Sequence, residues 1–94
     1  MNVEKLREII SLYRSYFEKR GIAKKEFSNL QYQYYIVGDD LLAQCHWMLG
    51  KMEEFTNQGQ SGLEKAFRWL GFIQGCLASQ QCFTIKQLRE QSRS

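Results

Sequence analysis

The 94-residue chain contains one histidine, His46, so any reaction that needs a histidine base must use it. A nucleophilic triad or a cysteine–histidine dyad would have to be built on this side chain. Cys45 precedes it directly, but adjacent side chains on a helix do not face each other. We therefore expect His46 to be a packed or hydrogen-bonded structural residue, and we expect the chain not to be an enzyme.

The three cysteines are widely spaced and include no CxxC pair of the kind found in zinc or thioredoxin-type sites. Cys45 and Cys76 fall in apolar helical patterns and are predicted core residues, whereas Cys82 falls in a predicted turn and should be the most exposed. No P-loop, dinucleotide-binding, HExxH or EF-hand pattern occurs. The acid pairs at 39–40 and 53–54 suit a helix start and an outer helix face, so no metal or cofactor is predicted.

Glycines and aromatic residues are densest in the run Arg68-Trp69-Leu70-Gly71-Phe72-Ile73-Gln74-Gly75. Gly71 and Gly75 lie on one helix face, although each glycine costs a helix about 1 kcal/mol relative to alanine. The pair predicts that another backbone comes close, either within the chain or in a second subunit. Trp69 and Phe72 cannot both share the face of Leu70 and Ile73, so at least one should face the loop, a partner subunit or a ligand.

Arg68, beside these aromatic rings, could bind an anion or stack on a ring. The candidate interface or ligand-binding residues are Arg68, Trp69, Gly71, Phe72, Gly75, His46, Trp47, Tyr32, Tyr34 and Tyr35.

The net charge of +3 is unevenly distributed along the chain. Residues 1–25 carry seven bases and three acids, residues 26–56 one base and five acids, and residues 57–94 five bases and two acids. This alternation suits segments that pack on each other, or on a second copy, with complementary fields. An alternative nucleic-acid surface would use the basic residues of the first helix and the start of the loop: Lys5, Arg7, Arg14, Lys19, Arg20, Lys24 and Lys25.

Composition predicts a single helical domain over residues 1–94. Hydrophobic residues make up 44% and charged residues 24%, as in a globular protein, and no apolar run approaches the roughly 20 residues of a membrane span. The charged N-terminus does not resemble a signal peptide. We expect a cytoplasmic protein with reduced thiols.

Apolar periodicity predicts three main helices and a short C-terminal helix, at about 3–20, 40–55, 61–79 and from 85 onward. Asn2 is the predicted N-cap of the first helix, and Gly21 is placed just past its end. The stretch 38–40 offers caps for the second helix. Ser61 with Glu64, and Thr84 with Gln87, read as capping boxes.

Residues 22–38 are predicted to form a long ordered loop over the helices. Residues 23–28 could add a helical turn, and after them Leu30, Tyr32, Tyr34 and Ile36 alternate with other residues as in an extended segment. A strand paired with its copy in a second subunit is the alternative. The short connection after the second helix predicts an antiparallel hairpin with the third, with the first helix packed across it and the last closing one end.

The arginine–tryptophan run, followed by Thr84-Ile85-Lys86-Gln87-Leu88-Arg89, resembles a group of small uncharacterised proteins common in tailed-phage genomes. In that group a Leu-x-His-x-x-Trp-Met-like stretch precedes the run. Here the matching stretch is Leu42-Ala43-Gln44-Cys45-His46-Trp47-Met48, with the histidine displaced. The resemblance covers roughly residues 38–90, and the first 37 residues match less clearly. It implies a compact helical protein in the cytoplasm of an infected bacterium, and it supplies no activity and no catalytic residues.

Three functions follow as hypotheses. The first is a phage-type accessory protein, a homodimer or larger assembly, that binds, sequesters or blocks a host protein or a small signalling ligand. The second is a nucleic-acid-binding protein that uses the basic first helix. The third is a nucleotide or anion sponge at a subunit interface, built from Arg68, Trp69 and the tyrosines.

Overall fold

The computed structural model describes residues 1–27 and 35–93. These residues form four α-helices, namely α1 (Val3–Lys19), α2 (Gly38–Phe55), α3 (Gly59–Ser79) and α4 (Ile85–Gln91). The predicted all-α fold, with three main helices and a short C-terminal helix, is confirmed. None of the helices in the described segments is both long and apolar enough to cross a membrane.

The first helix is amphipathic, and local signals define both of its ends. The Asn2 side chain accepts a hydrogen bond from the Lys5 backbone N–H at 2.9 Å, as predicted for an N-cap. Gly21 follows the helix with φ +71°, a conformation that glycine adopts at little cost. The buried face of α1 consists of Leu6, Ile9, Ile10, Tyr13 and Phe17.

Helices α2 and α3 form the predicted antiparallel hairpin, joined by residues 56–58. Near the turn, the Lys65 ammonium lies 4.5 Å from the centre of the Phe55 ring. Farther along the pair, the Cys45 thiol of α2 interacts with the Cys76 thiol of α3. Because positions later in α3 meet positions earlier in α2, the two helices run in opposite directions.

The apolar spacing of α2 predicts an inner stripe of Leu41, Cys45, Met48, Met52 and Phe55, with Leu42 and Leu49 alongside. The buried face is broader and also includes Ala43, Gln44 and His46. Leu41 and Phe55 are only partly buried. The residues that fill the space between the helices are Leu42, Cys45, Leu49 and Met52. Since α2 contacts α1 on one side and α3 on another, more than half of its circumference is buried, including the polar residues Gln44 and His46.

Helix α1 lies across α2, and α4 closes one end of the bundle, as predicted. The Phe17 ring of α1 lies 5.3 Å from the His46 ring of α2. The Tyr13 hydroxyl donates to Gln91 of α4 at 2.9 Å and accepts from Gln74 of α3 at 3.1 Å. One buried tyrosine therefore ties three helices together.

The capping predictions have mixed outcomes. The Thr84–Gln87 capping box is confirmed, with reciprocal hydrogen bonds of 2.8 and 3.1 Å at the start of α4. The Ser61–Glu64 box is wrong, because α3 begins at Gly59 and Ser61 lies inside its first turn. Asp39 also lies inside a first turn, that of α2, after an N-cap at Val37 whose side chain makes no capping bond.

The segment after α1 is extended rather than helical, so a helical turn over 23–27 is wrong. The Lys25 N–H donates to the Ala43 carbonyl at 3.2 Å, and the Phe27 N–H donates to the Gln44 side chain at 3.0 Å. Residues 22–27 therefore run along α2 as a loop. Residues 35–37, which also lack regular structure, lead into the start of α2. The rest of the predicted loop or strand, residues 28–34, lies outside the described residues.

Candidate binding groove

An open apolar cavity of about 650 Å³ lies between α2 and α3, and we refer to it as the α2/α3 groove. Its described lining comes from the residues before α2, from one face of α2 and from α3: Tyr35, Ile36, Leu41, Gln44, Trp47, Met48, Trp69 and Phe72. None of these side chains is charged. The groove therefore suits an uncharged, apolar occupant.

The wall of the α2/α3 groove toward the hairpin turn is aromatic. The Trp47 and Trp69 ring centres lie 6.4 Å apart, and Phe55 meets Trp69 edge to face at 4.8 Å. Lys51 and Lys65 place their ammonium groups over these rings, at 5.8 Å from Trp47 and 5.7 Å from Trp69. Aromatic packing and cation–π contacts hold the wall in place before any ligand arrives.

Phe72 lies at the open edge of the α2/α3 groove, and half of its surface remains exposed. Phe72 therefore does not share the buried face of Leu70 and Ile73, as expected for at least one of the two aromatic residues, and a partner subunit or ligand for it stays a prediction. Phe72 meets the groove beside Tyr35, which is fully exposed and comes from the predicted loop. Tyr32 and Tyr34, the other candidate tyrosines, lie outside the described residues.

The outer face of α3 carries Arg68, Gly71 and Gly75, all exposed. A Cβ atom added to Gly71 or Gly75 would meet nothing within 4 Å. The predicted close approach of another backbone therefore does not occur within the described chain, and the alternative of a second subunit stays a prediction. The glycine that does meet a backbone is Gly62, where an added Cβ would collide with the Phe55 carbonyl oxygen.

His46 has the structural role predicted from the sequence. Its ring is buried, and Nδ1 lies 2.8 Å from the Ile22 carbonyl oxygen. Because a carbonyl only accepts, the hydrogen lies on Nδ1, and the buried Nε2 atom has no partner in the described chain. His46 does not line the α2/α3 groove; together with Gln44, it holds residues 22–27 against α2.

The cysteines lie where their sequence environments predict. Cys45 and Cys76 are buried, whereas Cys82 is only partly buried, and its sulfur lies 3.4 Å from the Arg20 guanidinium. The hydrogen bond with Cys76, together with burial, raises the pKa of Cys45 well above its ordinary value. The Cys45 thiol is therefore protonated and unreactive in the folded chain. Among the described residues no group of three His, Cys, Asp or Glu side chains could hold a metal ion.

The basic residues proposed for nucleic acid do not share one free surface. Arg7 and Arg14, two turns apart, lie on one face of α1, and Lys19 lies on another. Four of the seven already contact other groups: Lys5 pairs with Glu8, Arg14 with Glu53, Arg20 with the Tyr16 hydroxyl, and Lys25 lies over the Phe27 ring. Arg7, Lys19 and Lys24 are exposed.

Known proteins offer no further guide to the groove. Family models, curated proteins and solved structures all fail to match this chain.

Sequence reasoning found Trp47, Trp69, Phe72 and Tyr35 but missed Ile36, Leu41, Gln44 and Met48. Met48 is buried as predicted and also lines the groove, whereas Leu41, assigned to the same inner stripe of α2, is only partly buried and lines the groove. Their spacing of seven places them on one helix face, which was the available signal. Gln44 carried no signal of its own, because a glutamine next to an apolar stripe is usually solvated.

Proposed function

We propose that this chain is a small non-enzymatic binding protein that holds an apolar partner in the α2/α3 groove. The observation that carries the proposal is the groove itself, a cavity of about 650 Å³ whose described lining contains two tryptophans and no charged residue. Binding sites for small molecules commonly have volumes of roughly 300–1,000 Å³ and linings of this kind.

The chemistry of the lining supports binding rather than catalysis. Its polar groups include the Gln44 amide and the Tyr35 hydroxyl, and neither is a strong base or an activated nucleophile at neutral pH. The histidine is turned away from the cavity, with Nδ1 engaged by the Ile22 carbonyl. A reaction centre would need a nucleophile and a base within reach of one reacting atom.

The resemblance to small tailed-phage proteins supports a cellular location and a role for this binding protein. We propose the role of a phage-type accessory protein in the cytoplasm of an infected bacterium. It would sequester or block an apolar segment of a host protein, or a small apolar signalling ligand. The groove supports both, because each would present apolar surface without charge.

Intrinsic fluorescence provides a direct test, because the chain's two tryptophans, Trp47 and Trp69, both line the α2/α3 groove. We expect titration with the uncharged fluorophore N-phenyl-1-naphthylamine to saturate, with tryptophan emission falling as dye emission rises. Leu41→Ser should weaken dye binding by about tenfold, since it removes one apolar contact at the groove edge. Ile85→Ser, at an exposed apolar residue outside the groove, is the matched control and should bind as the wild type does.

The proposal fails if the wild-type chain takes up no dye, or if Leu41→Ser and Ile85→Ser bind it equally well. Circular dichroism at the titration temperature shows that both variants remain folded. If Leu41→Ser unfolds, it is replaced as the groove variant by Phe72→Ser, which changes an exposed side chain of the groove and leaves the core intact.

A further inference from the structure

We infer that the partner in the α2/α3 groove is a second copy of this chain, with Phe72 of each copy inserted into the groove of the other. The inference rests on the proposed function, because it takes the groove as a binding surface. It deepens that proposal by naming a second copy, in place of a host-protein segment, as the macromolecule in the groove. A benzyl side chain occupies only part of a cavity of about 650 Å³. The assembly would therefore keep room for a small apolar ligand between the two copies.

The position of Phe72 makes the chain complementary to itself. Phe72 lies at the edge of its own groove and is 50% exposed, so a protruding side chain and an apolar cavity lie side by side on one surface. A two-fold axis near this residue sets the protruding side chain of each copy against the cavity of the other. Such an isologous contact uses the same patch twice and closes as a dimer.

The charges at the two ends of the groove favour a second copy of the chain as the occupant. Arg68 lies one turn before Phe72 on the exposed face of α3, on the side toward the hairpin turn. Asp40 lies at the opposite end of the groove, because α2 and α3 are antiparallel, and it shares a helix face with the groove residue Gln44 four positions later. A two-fold axis near Phe72 exchanges these ends, so that Arg68 of each copy faces Asp40 of the other. The same axis separates the two Arg68 guanidinium groups.

Two exposed glycines on α3 allow the α3 helices of the two copies to approach each other closely. Gly71 and Gly75 flank Phe72 on the exposed face, and neither has a described neighbour within 4 Å of an added Cβ. Two α3 helices crossing here would meet no side chain at Gly71 or Gly75, which leaves room for the Phe72 ring to pass into the other copy. Helix propensity alone disfavours both glycines, and contacts within the described chain give no reason for them.

Sedimentation equilibrium on the full chain, from low to high micromolar concentration, tests the inference. We expect a monomer–dimer equilibrium for the wild type. Phe72→Ala should weaken it by about tenfold or more, as removal of a central aromatic anchor does. Ile85→Ala, at an exposed residue on α4 that does not line the groove, should leave it unchanged.

Two further variants test the geometry. Gly75→Leu adds a side chain into space that is open in the single chain, so it should abolish dimerisation while thermal unfolding at low concentration shows an intact fold. Arg68→Asp should weaken the dimer, and Asp40→Arg in the same chain should restore it. Asp39→Arg is the matched control: Asp39 interacts electrostatically with Arg20, so changing it should not restore the dimer.

A chain that remains monomeric at high concentration overturns the inference, as does a dimer that neither Phe72→Ala nor Gly75→Leu affects. The dye titration separates this failure from a failure of the proposed function. A monomer that still binds the dye in the α2/α3 groove refutes only the second copy as its occupant. A chain that takes up no dye refutes the groove as a binding site altogether.

Discussion

Substitution of Gly62 by alanine tests how tightly the hairpin between α2 and α3 closes. An added Cβ would collide with the Phe55 carbonyl oxygen and lie 2.7 Å from Cβ of Gln58. The carbonyl belongs to the backbone and also accepts a hydrogen bond from the Gln58 N–H at 3.0 Å. It cannot move away without disturbing the turn, so the substitution should destabilise the fold.

The magnitude follows from comparison with Gly50→Ala. Gly50 lies inside α2, is exposed, and has open space around an added Cβ. Alanine favours a helix over glycine by about 1 kcal/mol at each site, so this term cancels between the two variants. The difference that remains is the cost of overpacking, about 1–3 kcal/mol in the free energy of unfolding. It corresponds to a difference of about 4–8 °C in Tm for each kcal/mol in a domain of this size.

Urea and thermal unfolding, followed by circular dichroism, measure both variants under the same conditions. We expect Gly50→Ala to be more stable than the wild type and Gly62→Ala to be less stable than Gly50→Ala, with equal denaturant slopes. If the two alanine variants are equally stable, the turn does not approach Gly62 as closely in solution as the structure places it, and the reasoning is refuted.

Three further predictions concern the loop, the thiols and alkaline pH. Gln44→Ala removes the acceptor of the buried Phe27 N–H. We expect the free energy of unfolding to fall by about 1–3 kcal/mol and hydrogen exchange at the Phe27 amide to become faster. Unchanged protection of that amide would contradict this. In the native chain a thiol reagent should modify Cys82 first and Cys45 only on unfolding, as peptide mass spectrometry would show; early labelling of Cys45 would count against its burial. Burial raises the pKa of Tyr13 above its ordinary value of 10.0. The contribution of Tyr13 to the free energy of unfolding is therefore full below pH 10.0 and is lost as the pH rises through the folded-state pKa. Urea unfolding at a series of alkaline pH values should show a smaller loss of stability for Tyr13→Phe than for the wild type, and equal losses would refute this.

Several local features were predictable because the groups involved are close together in sequence. Asn2 caps the N–H of Lys5, and Thr84 exchanges capping bonds with Gln87, in each case over three residues. The Ser61 pattern satisfies the same local rule but is not used. The positive φ of Gly59 lets α3 start directly after a short connection, which moves Ser61 into the helix.

The candidate site was only partly predictable, because it depends on how α2 is rotated against its neighbours. Trp47, Trp69 and Phe72 stood out as large aromatic residues that could not all be buried on one stripe. Leu41 and Met48 looked like ordinary core positions; Met48 is buried and also lines the groove, whereas Leu41 lines it from a partly buried position near the start of α2. Hydrophobic periodicity predicts how wide the apolar face of α2 is, but not which part of that face packs against α1 and which part against α3.

By itself, the sequence determined the fold class, the order of the helices, and the structural role of the one histidine. These follow from periodicity, capping and composition, which act within a few residues of each other. Only the tertiary structure decided that the exposed glycines of α3 have no neighbour in the described chain, that Gly62 does, and that the helices leave an open groove. Those properties depend on distances between residues far apart in sequence, which only the packed helices set.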